Sequence, residues 1–146
     1  MKNKKTVIGI IVVIILGIGL YFFNSEKFYS ATNVLKRADF SVEEQSVELT
    51  KIVNEVDGGK LVPIELTDTT QKKLIKAFEK LKFKKDESLS SDNDYSMKIT
   101  LNAGYFMFMD ITGKSIAVRD NRGSYDNYLF EDDKGFFSIL EELVRE

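Results

Sequence analysis

Ser96-Met-Lys-Ile-Thr-Leu-Asn102 and Tyr105-Phe-Met-Phe-Met-Asp-Ile111 decide the fold. In the first, Met97, Ile99 and Leu101 alternate with Lys98 and Thr100. A period of two marks a strand with one buried face. In the second, Tyr105, Met107 and Met109 alternate with Phe106 and Phe108, so both faces are apolar and the strand belongs in the middle of a sheet. Thr112-Gly113 and Asp120-Asn-Arg-Gly123 are turn sequences, and they set off two more strands at 114–119 and 124–130. Upstream, Val47, Leu49 and Lys51 alternate with Glu48 and Thr50 from Ser46 onward. Asp57-Gly58-Gly59-Lys60 reads as a tight turn. Leu61–Leu66 then forms a second strand, and Pro63 directs it to a sheet edge.

Two helices complete the pattern. Asp68 caps the first and Gln71 reaches back to it, with Leu74, Ile75, Phe78 and Leu81 as its apolar stripe. Asp132 or Asp133 caps the second, whose Phe136, Phe137, Leu140, Leu143 and Val144 face the sheet. The order ββα-ββββ-α over residues 46–146 predicts an α+β domain with a mainly antiparallel sheet.

The N-terminus has a different character. Lys2, Lys4 and Lys5 precede Thr6–Phe23, eighteen residues without a charge, which span about 27 Å as a helix. That length suits a single transmembrane helix, and lysines at its start place residues 1–5 in the cytoplasm and the domain outside. A cleaved signal would end in small residues rather than Tyr21-Phe22-Phe23, and lipidation would need a cysteine that the chain lacks. The expected organisation is a cytoplasmic tail (1–5), an anchor (6–23), a stalk (24–45) and an extracytoplasmic domain (46–146). Gly9, Gly17 and Gly19 do not make the GxxxG spacing of a dimerising anchor, so the oligomeric state stays open.

Chemistry is sparsely represented. No histidine or cysteine occurs in the 146 residues, which removes Cys nucleophiles, Ser-His arrangements and most zinc sites. Neighbouring carboxylates such as Asp132/Asp133 and Glu141/Glu142 do not converge on one point along a helix or strand. The reading is a non-enzyme without cofactor or metal. Asp92-Asn93-Asp94 resembles the start of a calcium loop, but Met97 replaces its glycine and Ala103 its closing glutamate. All 23 acidic residues and 18 of the 21 basic ones lie beyond residue 23, so the exported part is mildly acidic and nucleic acid is not the expected partner.

Two patterns point to binding. Lys72, Lys73, Lys76 and Lys80, with Lys82, Lys84 and Lys85 after them, form a cationic surface against a single Glu79, suited to anionic lipid or wall polymer. Tyr125 and Tyr128, on an exposed edge strand, would offer a protein-binding surface. The expected function is a membrane-anchored, non-catalytic binding domain whose partner is a membrane or secreted protein. The alternatives are an immunity-type or inhibitory protein at the outer membrane face, and a domain docking on anionic polymer or lipid through the lysine helix. Val62–Glu146 also resembles small exported domains of Gram-positive bacteria, often lipoproteins, of uncharacterised function. It shares with them the strand ending at Thr67-Asp68, the helix with Ile75 and Leu81, four hydrophobic strands and a closing helix. The resemblance implies a fold and an exported location, and transfers no site residues.

Overall fold

The computed structural model describes residues 2–23, 27–55, 58–87, 93–120, 122–131 and 135–144. In chain order these form α1 (Lys2–Phe23), β1 (Phe28–Ser30), α2 (Ala31–Val34), β2 (Ser46–Glu55), β3 (Gly58–Ile64), α3 (Asp68–Glu79), β4 (Lys82–Lys85), β5 (Tyr95–Thr100), β6 (Gly104–Asp110), β7 (Ser115–Arg119), β8 (Tyr125–Glu131) and α4 (Phe136–Val144). The strands make one eight-stranded antiparallel sheet in the order β1-β4-β8-β7-β6-β5-β2-β3. The α+β class, the interior position of β6 and the edge position of β3 all agree with the sequence reading.

Register explains the core. Leu49 pairs with Met97, Met97 with Met107, Met107 with Val118, and Phe83 with Phe130. Directly opposed residues share a face, so these residues line one side of the sheet. Leu74, Ile75 and Phe78 of α3, with Phe136, Phe137 and Leu140 of α4, join them in a single apolar cluster. Phe78 packs edge-on against Phe136 at 5.5 Å, and Phe137 stacks on Phe130 at 4.6 Å. Such ring pairs each add about 0.5–1.5 kcal/mol to the area they bury.

Several boundaries differ from the sequence reading, each for a physical reason. The expected stalk is part of the domain. β1 pairs with β4, while Ala31, Val34, Leu35 and Ala38 are buried in the core. Their spacing of three, one and three residues is that of a helical apolar face. The lysine-bearing helix, α3, ends at Glu79, so Lys82, Lys84 and Lys85 lie on a strand. There Phe83 points into the core between β1 and β8, and period two replaces helical spacing. Thr67, not Asp68, caps α3, accepting from the Thr70 amide at 3.2 Å. Gln71 turns instead toward the sheet. Gly58 and Gly59 are strand residues opposite Glu55 and Asn54. The rest of that expected turn, at Asp57, lies outside the described residues, as do Asp132 and Asp133. Val144 is 37% exposed, at the rim of a cleft that it shares with Ile52 and Tyr95 of the sheet rather than in the core.

In α1 the side chains described are those of residues 8–18, and Ile8, Ile10, Ile11, Val12, Val13, Ile14, Ile15, Leu16 and Ile18 are all exposed. Among the described residues, no helix is long and apolar enough to cross a membrane.

Candidate binding surface on the open face of the sheet

Among the described residues, the helical layer covers only one side of the sheet. The other side carries the alternate residues of each strand. Ser96 pairs with Phe108, Phe108 with Ala117, and Ala117 with Asn127, giving one row across four strands. Lys98 pairs with Phe106, and Arg119 with Tyr125, flanking that row. Ser96 and Ala117 are buried although no described helix lies over them. Both pair across the ladder with Phe108, whose side chain is much larger.

The aromatic residues form a continuous strip. The Phe106 and Phe108 rings meet edge-to-face at 5.1 Å and 87°, and Phe108 and Tyr125 lie 5.6 Å apart at 39°. Tyr125 is 43% exposed, and both phenylalanines are half-buried. Polar groups frame the strip. Lys98 holds Glu48 at 2.7 Å, while Arg119 is exposed and ion-paired to no described residue. Flat rings beside a guanidinium suit recognition of a partner with an apolar centre and an acidic rim.

Hydrogen bonds to Asp120 lie at the end of this surface. Gly123 adopts φ +86°, a conformation glycine reaches without a Cβ penalty. Asp120 accepts from the Arg122 and Ser124 amides, both at 2.9 Å. Burial pushes the Asp120 carboxyl up, but those amide bonds and the Arg122 side chain outweigh it and hold it below its ordinary value.

The two tyrosines expected to act together are on opposite faces. Tyr128 is 6% exposed and lies in the core, on an interior strand rather than an edge. Its ring packs edge-on against Phe83 and Tyr29, each at 6.2 Å. Burial raises its pKa, and the neighbouring Asp126 raises it further. Asp126 is held by Lys85 at 3.2 Å and Lys36 at 3.4 Å. Tyr128 is therefore a packing residue. Tyr125 alone remains at a surface, joined there by Phe106 and Phe108. The alternation in 105–109 signalled those rings, but apolar residues on both faces also suit a doubly covered strand.

The lysine surface is smaller than the sequence suggests. Lys72, Lys73 and Lys76 lie exposed on α3, and Lys80 is its C-cap. None is ion-paired among the described residues. However, Lys72 lines a cleft shared with Glu43, Glu44 and Asp68, and Lys73 lines a groove with Glu65 and Glu142. These carboxylates oppose a polyanion at the same place. Among the described residues no cluster of three or more acidic side chains is placed to hold a metal ion, and Asp92 of the calcium-like segment lies outside them.

No protein-family model matches the chain, and neither a curated protein nor a solved structure shows significant similarity to it.

Proposed function

We propose that the chain is a membrane-anchored, extracytoplasmic binding domain without catalytic activity, which docks a membrane or secreted protein on the open face of its sheet. One observation carries the binding part: Phe106, Phe108 and Tyr125 form a connected aromatic strip where no described helix covers the sheet. Aromatic side chains beside an arginine are the groups most enriched at the centres of protein interfaces. The anchor rests on the uncharged run Thr6–Phe23, on the lysines before it and on the exposed aliphatic side chains of residues 8–18. Confinement near a membrane raises the domain's effective concentration toward partners there, so modest affinity suffices.

Two measurements test this reading. A C-terminal tag on the full-length chain should resist alkaline carbonate extraction of membranes and be removed by protease added to intact cells. Release by carbonate or protection from protease defeats the proposed topology. In-cell photo-crosslinking from position 125 should then capture a partner, and Phe108→Glu should reduce its recovery by about tenfold, the effect of losing one central aromatic contact of ~1.4 kcal/mol. Equal recovery with the folded variant would rule out this face as the docking surface.

A further inference from the structure

The sheet ends on β3, and hydrogen-bond geometry shows which of that strand's peptide groups face outward. Ile52 donates its amide to the Asp94 carbonyl at 2.8 Å, so its peptide groups point away from β3. In an antiparallel ladder, opposed residues either both face one another or both face away. Leu61, opposite Ile52, therefore turns its N–H and C=O to the open edge. The same parity applies to Gly59, opposite Asn54, and Pro63, opposite Thr50. Val47 confirms the alternation, because its amide points to the β3 side and is taken there by Gln71 at 2.9 Å. Pro63 thus stands where its missing N–H takes nothing from the β2–β3 ladder.

This edge is not defended along its whole length. Natural edges are blunted with charges and proline. Here Lys60 and Pro63 flank Leu61 and Val62, which are 61% and 38% exposed. We propose that β3 pairs antiparallel with β3 of a second copy, about a two-fold axis at Leu61. Leu61 and Leu61 of the second copy exchange two hydrogen bonds. Each Gly59 amide donates to the carbonyl of Pro63 across the seam, so the proline falls where only one bond per pair is needed. Lys60 faces Val62 of the second copy, and the two Leu61 side chains shield one another.

Other registers are poorer. An axis at Lys60 makes as many hydrogen bonds but sets two lysines directly opposite, which is destabilising. An axis at Val62 pairs Leu61 with Pro63 and loses a donor on each side. The pairing also closes on itself, because each copy has one β3 edge and its opposite edge, β1, is only three residues long.

The chain contains no cysteine, so single substitutions report the register without background. Residues paired as Leu61 is here sit about 5.5 Å apart at Cα, within disulfide range. In the full-length protein in mild detergent, oxidised Leu61→Cys should form covalent dimer about tenfold more than Glu131→Cys, an exposed control on an interior strand, because strands held in register react at high effective concentration. Lys60→Cys mixed with Val62→Cys should cross-link, and Lys60→Cys alone should not. Adding Leu61→Pro to that mixed pair should abolish the cross-link with an unchanged circular dichroism spectrum, since the amide it removes faces outward. Equal yields at 61 and 131, faster reaction of Lys60→Cys with itself, or a cross-link that survives Leu61→Pro would each overturn the proposal.

Discussion

Gln71 holds a seam that backbone alone cannot close. β3 leaves the sheet after Ile64, opposite Leu49, so the next amide of β2 on that side, that of Val47, has no described strand beside it. The Gln71 side chain fills the gap, its Oε1 accepting from Val47 at 2.9 Å and its Nε2 donating to the Leu66 carbonyl at 3.3 Å. A carboxamide suits this position because it presents an acceptor and a donor in one plane. Gln71→Ala leaves both partners unsatisfied in a half-buried site and should cost about 1–3 kcal/mol. Gln71→Glu keeps the acceptor but loses the donor, and should fall between wild type and the alanine variant. Urea unfolding of the three proteins checks the order; an alanine variant as stable as wild type would show that water replaces the bridge. Asn102 plays a similar part near the N-terminal segment. It accepts from the Asp39 amide and donates to the Arg37 carbonyl, both at 2.9 Å, across a reversal in which Arg37 adopts φ +72°.

At the scale of elements, the segment before β2 is a structural part of the domain rather than a tether. Leu35 is buried against the core, and β1 extends the sheet beyond β4. Leu35→Ala should therefore destabilise the protein by about 2–5 kcal/mol, the range for a leucine truncated in a packed core. Thermal unfolding measures it; a loss below about 0.5 kcal/mol, typical of a surface change, would restore the stalk. The same segment shows where sequence was readable and where it was not. Of the four strands between residues 95 and 131, β5 and β6 are marked by alternation over five or more residues, and β7 and β8 by the turn sequences that precede them. β1 and β4 are three and four residues long, too short for a period to emerge, and Phe83 follows Leu81 closely enough to prolong a helical stripe. Ala31, Val34, Leu35 and Ala38 carry helical spacing, and Ser30 caps the turn by accepting from the Asn33 amide, but the helix is four residues long and leaves no long run to mark it. For the candidate site, parity alone puts Tyr125 and Tyr128 on opposite faces of a strand. Which face receives the helices depends on long-range packing that no local pattern contains.

The whole molecule has an unusual titration pattern, because it lacks histidine, the side chain that ordinarily titrates between pH 5 and 8. Among the described residues, the perturbed groups lie at the two ends of the scale. Hydrogen bonds from the Ser41 hydroxyl and amide hold the Asp39 carboxyl below its ordinary 3.8, and Asp120 is lowered from the same value. A lowered carboxyl contributes stability that is present above its unfolded pKa and fades as pH falls through the folded one. At the other end, the hydrogen bond and charge of Asp126 raise Lys85 above 10.5, while burial followed by a nearby aspartate raises Tyr95 and Tyr128 above 10.0. These groups contribute stability that is complete below their unfolded values and is lost as pH rises through the folded ones. The signs combine into a plateau: stability should be flat from about pH 5 to 9, falling below about 4 as the aspartates protonate and above about 10 as the tyrosines and Lys85 lose protons. Urea midpoints taken from pH 3 to 11 test this, and a slope centred between pH 5 and 8 would contradict it. Tyr128→Phe separates the contributions. It removes one of the two raised phenols among the described residues, so its alkaline fall should be shallower than that of wild type while its acid limb is unchanged.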